Sequence, residues 1–145
     1  MRIVIGADHR GITLRNDLAS WLSSGGHRIE DVSSPTPDVN DDYPDIGARV
    51  AHAVASDPDA RGITICGSGT GMAIAVNRIR GARGVLATDP SILRAARNDN
   101  NVNVLALPAD FVDTDLARVL VATFLDTPFE AAERRMRRIT KLDEL

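Results

Sequence analysis

The sequence has little of what marks secreted, membrane or nucleic-acid-binding proteins. Its single cysteine, Cys66, cannot form an internal disulfide, and Met1 leads directly into a β-rich run without an apolar signal segment. No apolar run approaches the length of a membrane span. The formal net charge of −3 argues against a nucleic-acid-binding surface. We therefore expect a cytoplasmic protein that has no membrane or nucleic-acid partner.

The chain also lacks the usual signatures of cofactor and metal sites. Gly67, Gly69 and Gly71 are closely spaced, but their spacing is not the dinucleotide fingerprint, and no lysine follows them as in a P-loop. No cluster of Cys, His and acidic residues has metal-ligand spacing. The sequence therefore predicts no NAD, ATP or metal site.

What the sequence does contain is a regular alternation of short β-rich runs and amphipathic segments. The β-rich runs cover 2–7, 27–32, 62–66, 83–88 and 103–107. Helical patterns cover 12–22, 46–54, 70–79, 90–97 and 111–125, a loop covers 33–44, and a basic helix begins at Pro128. Such alternation predicts a parallel sheet covered on both faces. With 145 residues, we expect an α/β fold: a single Rossmann-like three-layer domain over 1–145, with a five-stranded parallel sheet and an extra C-terminal helix.

The segment 62–71 joins the central β-rich run to a glycine loop and then to a helix that begins near Thr70. Glycines allow positive φ and close approach of the backbone, so successive N–H groups can point at one anion. Cys66 stands at the mouth of this loop, where a thiol can serve as nucleophile, proton carrier or redox group. The alternative is a buried small hydrophobic residue. Its position favours a functional role.

Other polar residues are expected near the same sheet edge or on the basic helix. Asp8, His9 and Asp89 follow β-rich runs, and in parallel sheets ligands bind beyond the carboxyl ends of the strands. Arg134 and Arg138 are four residues apart on one helical face, where they could bind a phosphate or carboxylate. The residues alone favour a solvated, charge-balanced surface helix instead.

Together these motifs resemble the type B ribose-5-phosphate isomerases, a family that includes galactose-6-phosphate and allose-6-phosphate isomerases. The resemblance covers essentially the whole chain. The segments that carry it are 6–11 (Gly-Ala-Asp-His-Arg-Gly), 42–44 (Asp-Tyr-Pro), 65–71 (Ile-Cys-Gly-Ser-Gly-Thr-Gly), Asn77, 103–105 (Asn-Val-Leu), Arg134 and Arg138.

The resemblance implies aldose–ketose isomerisation through a cis-enediolate, without metal or organic cofactor. It makes Cys66 the base, with a thiol pKa that the surrounding amides are expected to lower. The remaining implied site residues are Gly67, Gly69, Thr70 and Gly71 for the oxyanion, with the Ser68 hydroxyl; Asp8 and Tyr43 for substrate hydroxyls; and His9, Arg134 and Arg138 for the phosphate. It also implies a homodimer or homotetramer, in which the neighbouring subunit completes the site with a loop at Asp99 and Asn100.

Two residues depart from the family pattern. Asp99 stands where the family has a ring-opening histidine, next to Asn100 on a substrate-binding asparagine, and Asp110 stands where it has a phosphate-binding arginine. An aspartate is a poor general acid at neutral pH, and a carboxylate facing the site would repel a phosphate dianion.

These residues leave several functions open. The leading one is interconversion of ribose 5-phosphate and ribulose 5-phosphate. The alternatives are the same chemistry on another sugar (a hexose or tetrose phosphate, or a linear, non-phosphorylated or uronate sugar) and a non-catalytic sugar-phosphate-binding protein. A thiol redox protein is less attractive because the chain has no resolving cysteine.

Overall fold

The computed structural model describes residues 1–34, 36 and 38–145. Pro35 and Pro37, which belong to the predicted loop 33–44, lie outside the described residues. Five strands and six helices occur in the described part of the chain. They are β1 (Arg2–Ala7), α1 (Ile12–Ser24), β2 (Arg28–Asp31), α2 (Tyr43–Ala55), β3 (Arg61–Cys66), α3 (Thr70–Val76), β4 (Gly84–Leu86), α4 (Pro90–Asn100), β5 (Val104–Pro108), α5 (Thr114–Asp126) and α6 (Glu133–Asp143).

The strands form one parallel sheet in the order β2-β1-β3-β5-β4. The central strand β3 pairs with β1 on one side and with β5 on the other. The strand order reverses around β1 and β3, and a crevice at such a point is where open parallel sheets bind ligands. The predicted α/β fold with a five-stranded parallel sheet is therefore confirmed, and its switch point lies at the predicted glycine loop.

Side chains alternate between two cores because successive residues of a strand point to opposite faces. On one face, Ile63 and Ile65 of β3 pack with helices α1, α4 and α5 in a large cluster that includes the fully buried Phe124. On the other face, Cys66 packs with Ile46, Met72 and Ala106 beneath α2 and α3. The position of Cys66 therefore follows from the register of β3.

Several helices have bounds that differ from the sequence pattern, among them α3, α4 and α6. Helix α3 ends at Val76 rather than near Ile79, because the carboxamide of Asn77 exchanges hydrogen bonds with the backbone of Gly84 at the start of β4. Helix α4 continues to Asn100, where Asn101 adopts a left-handed conformation with φ of 46°. Helix α6 begins at Glu133, five residues after Pro128.

These bounds move three predicted site residues from loops to helices. Asp99 and Asn100, expected in a loop, form the last turn of α4. Tyr43, expected to precede a helix, is the first residue of α2, with Pro44 in the first turn, where its missing N–H has no cost. In the described ranges, no helix is both long enough and apolar enough to cross a bilayer.

Candidate active site

Cys66 is the last residue of β3 and lies at the carboxyl edge of the sheet, where the chain turns into the glycine loop. Its side chain is buried, with 5% of the residue exposed. The Gly69 N–H donates a hydrogen bond to the Cys66 Sγ over 3.2 Å. The sulfur therefore faces the loop amides, as the sequence predicted.

The electrostatic environment of Cys66 differs from the sequence prediction. Burial raises the pKa of the thiol above its ordinary value, and the nearby Asp8 carboxylate raises it further. The amides of Met72, Gly69 and Ser68 act in the opposite direction without reversing the shift. The expectation that the loop lowers the pKa of Cys66 is therefore wrong for the free chain, because desolvation outweighs the donated hydrogen bonds.

The glycine loop depends on Gly69. This residue has φ of 73°, in the left-handed region, and a Cβ there would lie 2.6 Å from Leu86 Cδ1 and 3.1 Å from the backbone nitrogen of Pro108. Beside it, the hydroxyls of Ser68 and Thr70 are hydrogen-bonded at 2.7 Å, and both residues are exposed. The loop thus presents two hydroxyls to solvent next to the buried sulfur.

The loop after β1 lies beside Cys66. Asp8 is 6% exposed, and its Oδ1 accepts hydrogen bonds from the backbone N–H groups of Arg10 at 3.0 Å and Gly11 at 3.3 Å. The carboxylate therefore holds its own turn in shape. The neighbouring His9 has a buried Nδ1 for which the described residues supply no hydrogen-bond partner. Both predicted substrate contacts consequently lie at the sheet edge that carries Cys66.

Tyr43 closes another side of the same region. Its ring packs on Gly71, where a Cβ would lie 2.5 Å from the Tyr43 Cε2. The Tyr43 residue is 43% exposed, so part of it remains available to a ligand. This contact explains how the start of α2, distant in sequence, reaches the glycine loop.

Sequence reasoning missed the role of Arg10. Its guanidinium lies against Gly67 and forms an ion pair with Asp110. The Asp110 carboxylate, expected to repel a phosphate dianion, is therefore neutralised by a neighbouring cation. Arg10 stood within the motif 6–11, but its partner is 100 residues away, so no local spacing signalled the pair.

Four predicted site residues lie far from the Cys66 edge of the sheet in their own chain. Asp99 and Asn100 end α4, which runs back from the carboxyl edge of β4 to the start of β5. Strand β5 has five residues, which corresponds to about 16 Å between the two edges of the sheet. Arg134 and Arg138 are exposed on α6, a helix whose Arg135 contacts Asp99 and whose Asp143 contacts Arg83 before β4. Both contacts place α6 at the opposite edge from Cys66.

Asp99 and Asp89 also have local roles that the sequence did not predict. Asp99 forms an ion pair with Arg135, with 2.5 Å between its Oδ1 and the Arg135 Nη2. Asp89, expected at the active edge, caps α4 by accepting hydrogen bonds from the N–H groups of Ser91 and Ile92. For residues 1–34, 36 and 38–145, no group of three or more His, Cys, Asp or Glu side chains has the arrangement of a metal site.

Comparison with known proteins decides the family. A sequence model described as "Ribose/Galactose Isomerase" matches residues 3–142. The chain belongs to the ribose/galactose isomerase family. The resemblance inferred from the motifs is therefore confirmed, and this family member is an aldose–ketose isomerase.

Individual relatives of this isomerase differ in the substrates named for them. The D-erythrulose-4-phosphate isomerase of Pectobacterium atrosepticum is 35% identical over 90% of this chain and 86% of that protein. The solved ribose 5-phosphate isomerase of Thermotoga maritima is 39% identical, with a TM-score of 0.92 over 99% of this chain and 98% of its own. The ribose-5-phosphate isomerase B of Mycoplasma genitalium, solved with bound ribulose 5-phosphate, is 35% identical, with a TM-score of 0.93 over 99% and 94%.

Proposed function

We propose that this isomerase interconverts ribose 5-phosphate and ribulose 5-phosphate, with Cys66 as the base. The observation that carries the proposal is the position of the Cys66 Sγ, 3.2 Å from the Gly69 nitrogen at the carboxyl edge of the central strand. A base placed beside backbone N–H donors suits a reaction that removes a carbon-bound proton and leaves a negative oxygen.

The proposed chemistry moves one proton between two carbons. The Cys66 thiolate takes the proton from C2 of the open-chain aldose, and the electron pair of the C–H bond enters a cis-enediolate. The thiol then returns the proton to C1 while the hydroxyl proton of O2 passes to O1, so that C2 becomes the carbonyl carbon of the ketose. Backbone N–H groups of the loop 67–71 stabilise the enediolate oxygen, and one such donor contributes about 3 kcal/mol in the transition state. Ser68 adds a hydroxyl donor.

A second copy of the chain completes the proposed site. Asp8, His9 and Tyr43 lie at the Cys66 edge, but the proposed contacts Asn100, Arg134 and Arg138 belong to the opposite edge of the same chain. A homodimer, or a homotetramer built from such dimers, would bring the α4 and α6 edge of one subunit to the Cys66 edge of its partner. The size of the assembly is measurable by analytical ultracentrifugation.

A second candidate substrate is an open-chain tetrose 4-phosphate. Asp99 stands where the family pattern has a ring-opening histidine, and its carboxylate is engaged by Arg135, with 2.5 Å between its Oδ1 and the Arg135 Nη2. Ring opening of a furanose needs a group that can both accept and donate a proton, as an imidazole can. A tetrose phosphorylated on O4 has no free hydroxyl that can close a furanose ring, so it needs no ring opening. A similar relative is named for D-erythrulose 4-phosphate.

The test is a substrate panel run on the wild type, Cys66→Ala and Asp99→His. The panel contains ribose 5-phosphate, erythrose 4-phosphate, allose 6-phosphate, galactose 6-phosphate and non-phosphorylated or uronate sugars. We expect Cys66→Ala to abolish both turnover and exchange of the substrate C–H proton with deuterium from solvent. Full activity of Cys66→Ala would refute the proposed base.

The Asp99→His variant shows which of the two candidates, ribose 5-phosphate or the tetrose phosphate, is the natural substrate. If ribose 5-phosphate is the natural substrate and neighbouring residues compensate for Asp99, the wild type turns it over faster than the tetrose phosphate. If the tetrose phosphate is natural, wild-type turnover of ribose 5-phosphate is low, and Asp99→His raises it while leaving the tetrose rate nearly unchanged.

A further inference from the structure

Arg10 occupies an unusual place for a surface arginine. Its backbone N–H is fixed by the Asp8 carboxylate, and the following Gly11 packs on the backbone oxygen of Ile65, one residue before Cys66. From this turn the side chain reaches across Gly67: a Cβ on Gly67 would lie 2.5 Å from the Arg10 Cζ and 2.6 Å from its Nε and Nη1. The guanidinium therefore lies directly on the glycine loop.

Asp110 is attached to the same residue of the loop. Its backbone N–H donates to the Gly67 carbonyl over 3.0 Å, and its carboxylate accepts from the Arg10 Nη2. Gly67 is thus flanked by Arg10 and bonded to Asp110, so the two side chains meet beside it. This geometry fixes the direction in which the guanidinium points.

Most donors of Arg10 remain available. A guanidinium has five N–H donors, and the contact with Asp110 uses an Nη2 donor. Its other nitrogens, Nε and Nη1, make no hydrogen bond within residues 1–34, 36 and 38–145, and the Arg10 side chain is 55% exposed. A planar fork of unused donors beside an anion-binding loop is suited to the oxygens of a phosphate or carboxylate.

We infer that Arg10 binds the anionic group of the sugar substrate and that Asp110 is the positioning residue that holds it over Gly67. The inference rests on the proposed function only for the identity of the ligand, since the contacts themselves are those of the free chain. It makes Arg10 a specificity-determining residue: a substrate with a terminal phosphate gains a charge-assisted contact that a neutral sugar does not.

The opposite charges of Arg10 and Asp110 predict a specific pattern of changes in phosphate affinity. With Arg10 present, the Asp110 carboxylate is neutralised and orients the cation. Without Arg10, the same carboxylate stands unpaired beside the loop and repels a dianion. Loss of Arg10 should therefore weaken phosphate binding, and a second change, Asp110→Asn, should partly restore it. A surface ion pair with no role in binding predicts neither effect.

The experiment measures the Kd for inorganic phosphate by isothermal titration calorimetry, together with kcat and KM for the phosphorylated substrate that the wild type prefers. We expect Arg10→Ala to raise the Kd and KM about tenfold or more, the range of a lost charge-assisted hydrogen bond, with kcat changed less than about threefold. Arg10→Lys should recover part of the affinity. The double variant Arg10→Ala with Asp110→Asn should bind phosphate more tightly than Arg10→Ala alone.

Arg118→Ala is the matched control, because Arg118 is ion-paired with Asp17 between α5 and α1 and has no contact with the loop. Its Kd should stay within about twofold of the wild type, since surface pairs of this kind contribute little. If Arg10→Ala reduces stability in circular dichroism melts, Arg10→Gln, which keeps most of the stem, takes its place.

The outcomes separate this inference from the proposed reaction. An unchanged phosphate Kd in the Arg10 variants, with Cys66→Ala inactive, overturns the role of Arg10 and leaves the base in place. Active Cys66→Ala overturns the base, and the phosphate titration, which needs no turnover, still decides the role of Arg10. An equal loss of affinity in Arg118→Ala would show a general charge effect and would also overturn the inference.

Discussion

The buried position of Cys66 leads to a specific prediction for the pH dependence of catalysis. The ordinary pKa of a cysteine thiol is about 9.0, and burial raises that of Cys66 above this value. At neutral pH only a small fraction of the thiol is therefore ionised in the free enzyme. If the thiolate is the base, kcat/KM must follow this small fraction, because kcat/KM reports ionisation of the free enzyme.

The expected pH profile of kcat/KM is a steady rise across the neutral and mildly alkaline range. Between pH 7 and 9, kcat/KM should rise about tenfold per pH unit, without a plateau below about pH 9. The measurement uses initial rates at substrate concentrations well below KM, in overlapping buffers at constant ionic strength. Starting at pH 7 keeps the substrate phosphate dianionic, since its second pKa is about 6.

Alkylation of Cys66 by iodoacetamide provides a check that does not depend on substrate. Cys66 is the only cysteine, so the rate of thiol loss against pH gives its pKa directly. A midpoint below the ordinary thiol value of about 9.0, or a kcat/KM plateau below that pH, would refute the reasoning, because the loop amides would then outweigh burial.

The same pKa shift has a consequence for folding. Because the folded-state pKa of Cys66 is raised, its contribution to stability is fully present below the unfolded-state pKa and is lost as the pH rises through the folded-state value. Melting temperatures measured across the same pH range show whether the fold persists at each point of the rate profile.

Two further predictions concern stability, measured by urea unfolding. Gly69→Ala and Gly26→Ala both place a side chain at positive φ, which costs about 1–2 kcal/mol. Only at Gly69 does the new Cβ also meet Leu86, so Gly69→Ala should lower the free energy of unfolding by at least about 1 kcal/mol more than Gly26→Ala. Equal losses would contradict this. Arg97 is 3% exposed and donates to two backbone carbonyls, so Arg97→Met should lower the free energy of unfolding by about 3 kcal/mol or more. The control Arg94→Met changes an exposed arginine and should cost less than about 0.5 kcal/mol. Similar losses in the two variants would show that the buried contacts of Arg97 contribute little.

The order of elements was predictable because each depends on local pattern. Short β-rich runs that alternate with helical periodicity predict a parallel sheet. The loop 67–71 could be placed because it directly follows the central β-rich run. The ends of helices were less predictable. Asn77 ends α3 through a partner seven residues away, and no periodicity signals such a bond.

The sign of the Cys66 pKa shift could not be derived from the sequence for a similar reason. The loop amides are visible in the sequence as glycines, which suggests a lowered pKa. The opposing contribution comes from burial beneath Ile46 and Met72 and from Asp8, which follows a different strand. Only the packed structure gives the relative size of these effects.

The two acidic departures from the family pattern show how long-range pairing changes an interpretation. Read alone, Asp99 is a poor replacement for a ring-opening histidine, and Asp110 is a carboxylate that would repel a phosphate. In the folded chain each has an arginine partner, Arg135 and Arg10 respectively. Because each pair is close to neutral, removing the arginine exposes a repelling charge, whereas removing the aspartate frees a cation. We therefore expect replacement of the arginine to weaken phosphate binding more than replacement of its aspartate partner. If this difference in affinity is found at the Asp99–Arg135 pair as well as at the Asp110–Arg10 pair, both pairs lie near the phosphate.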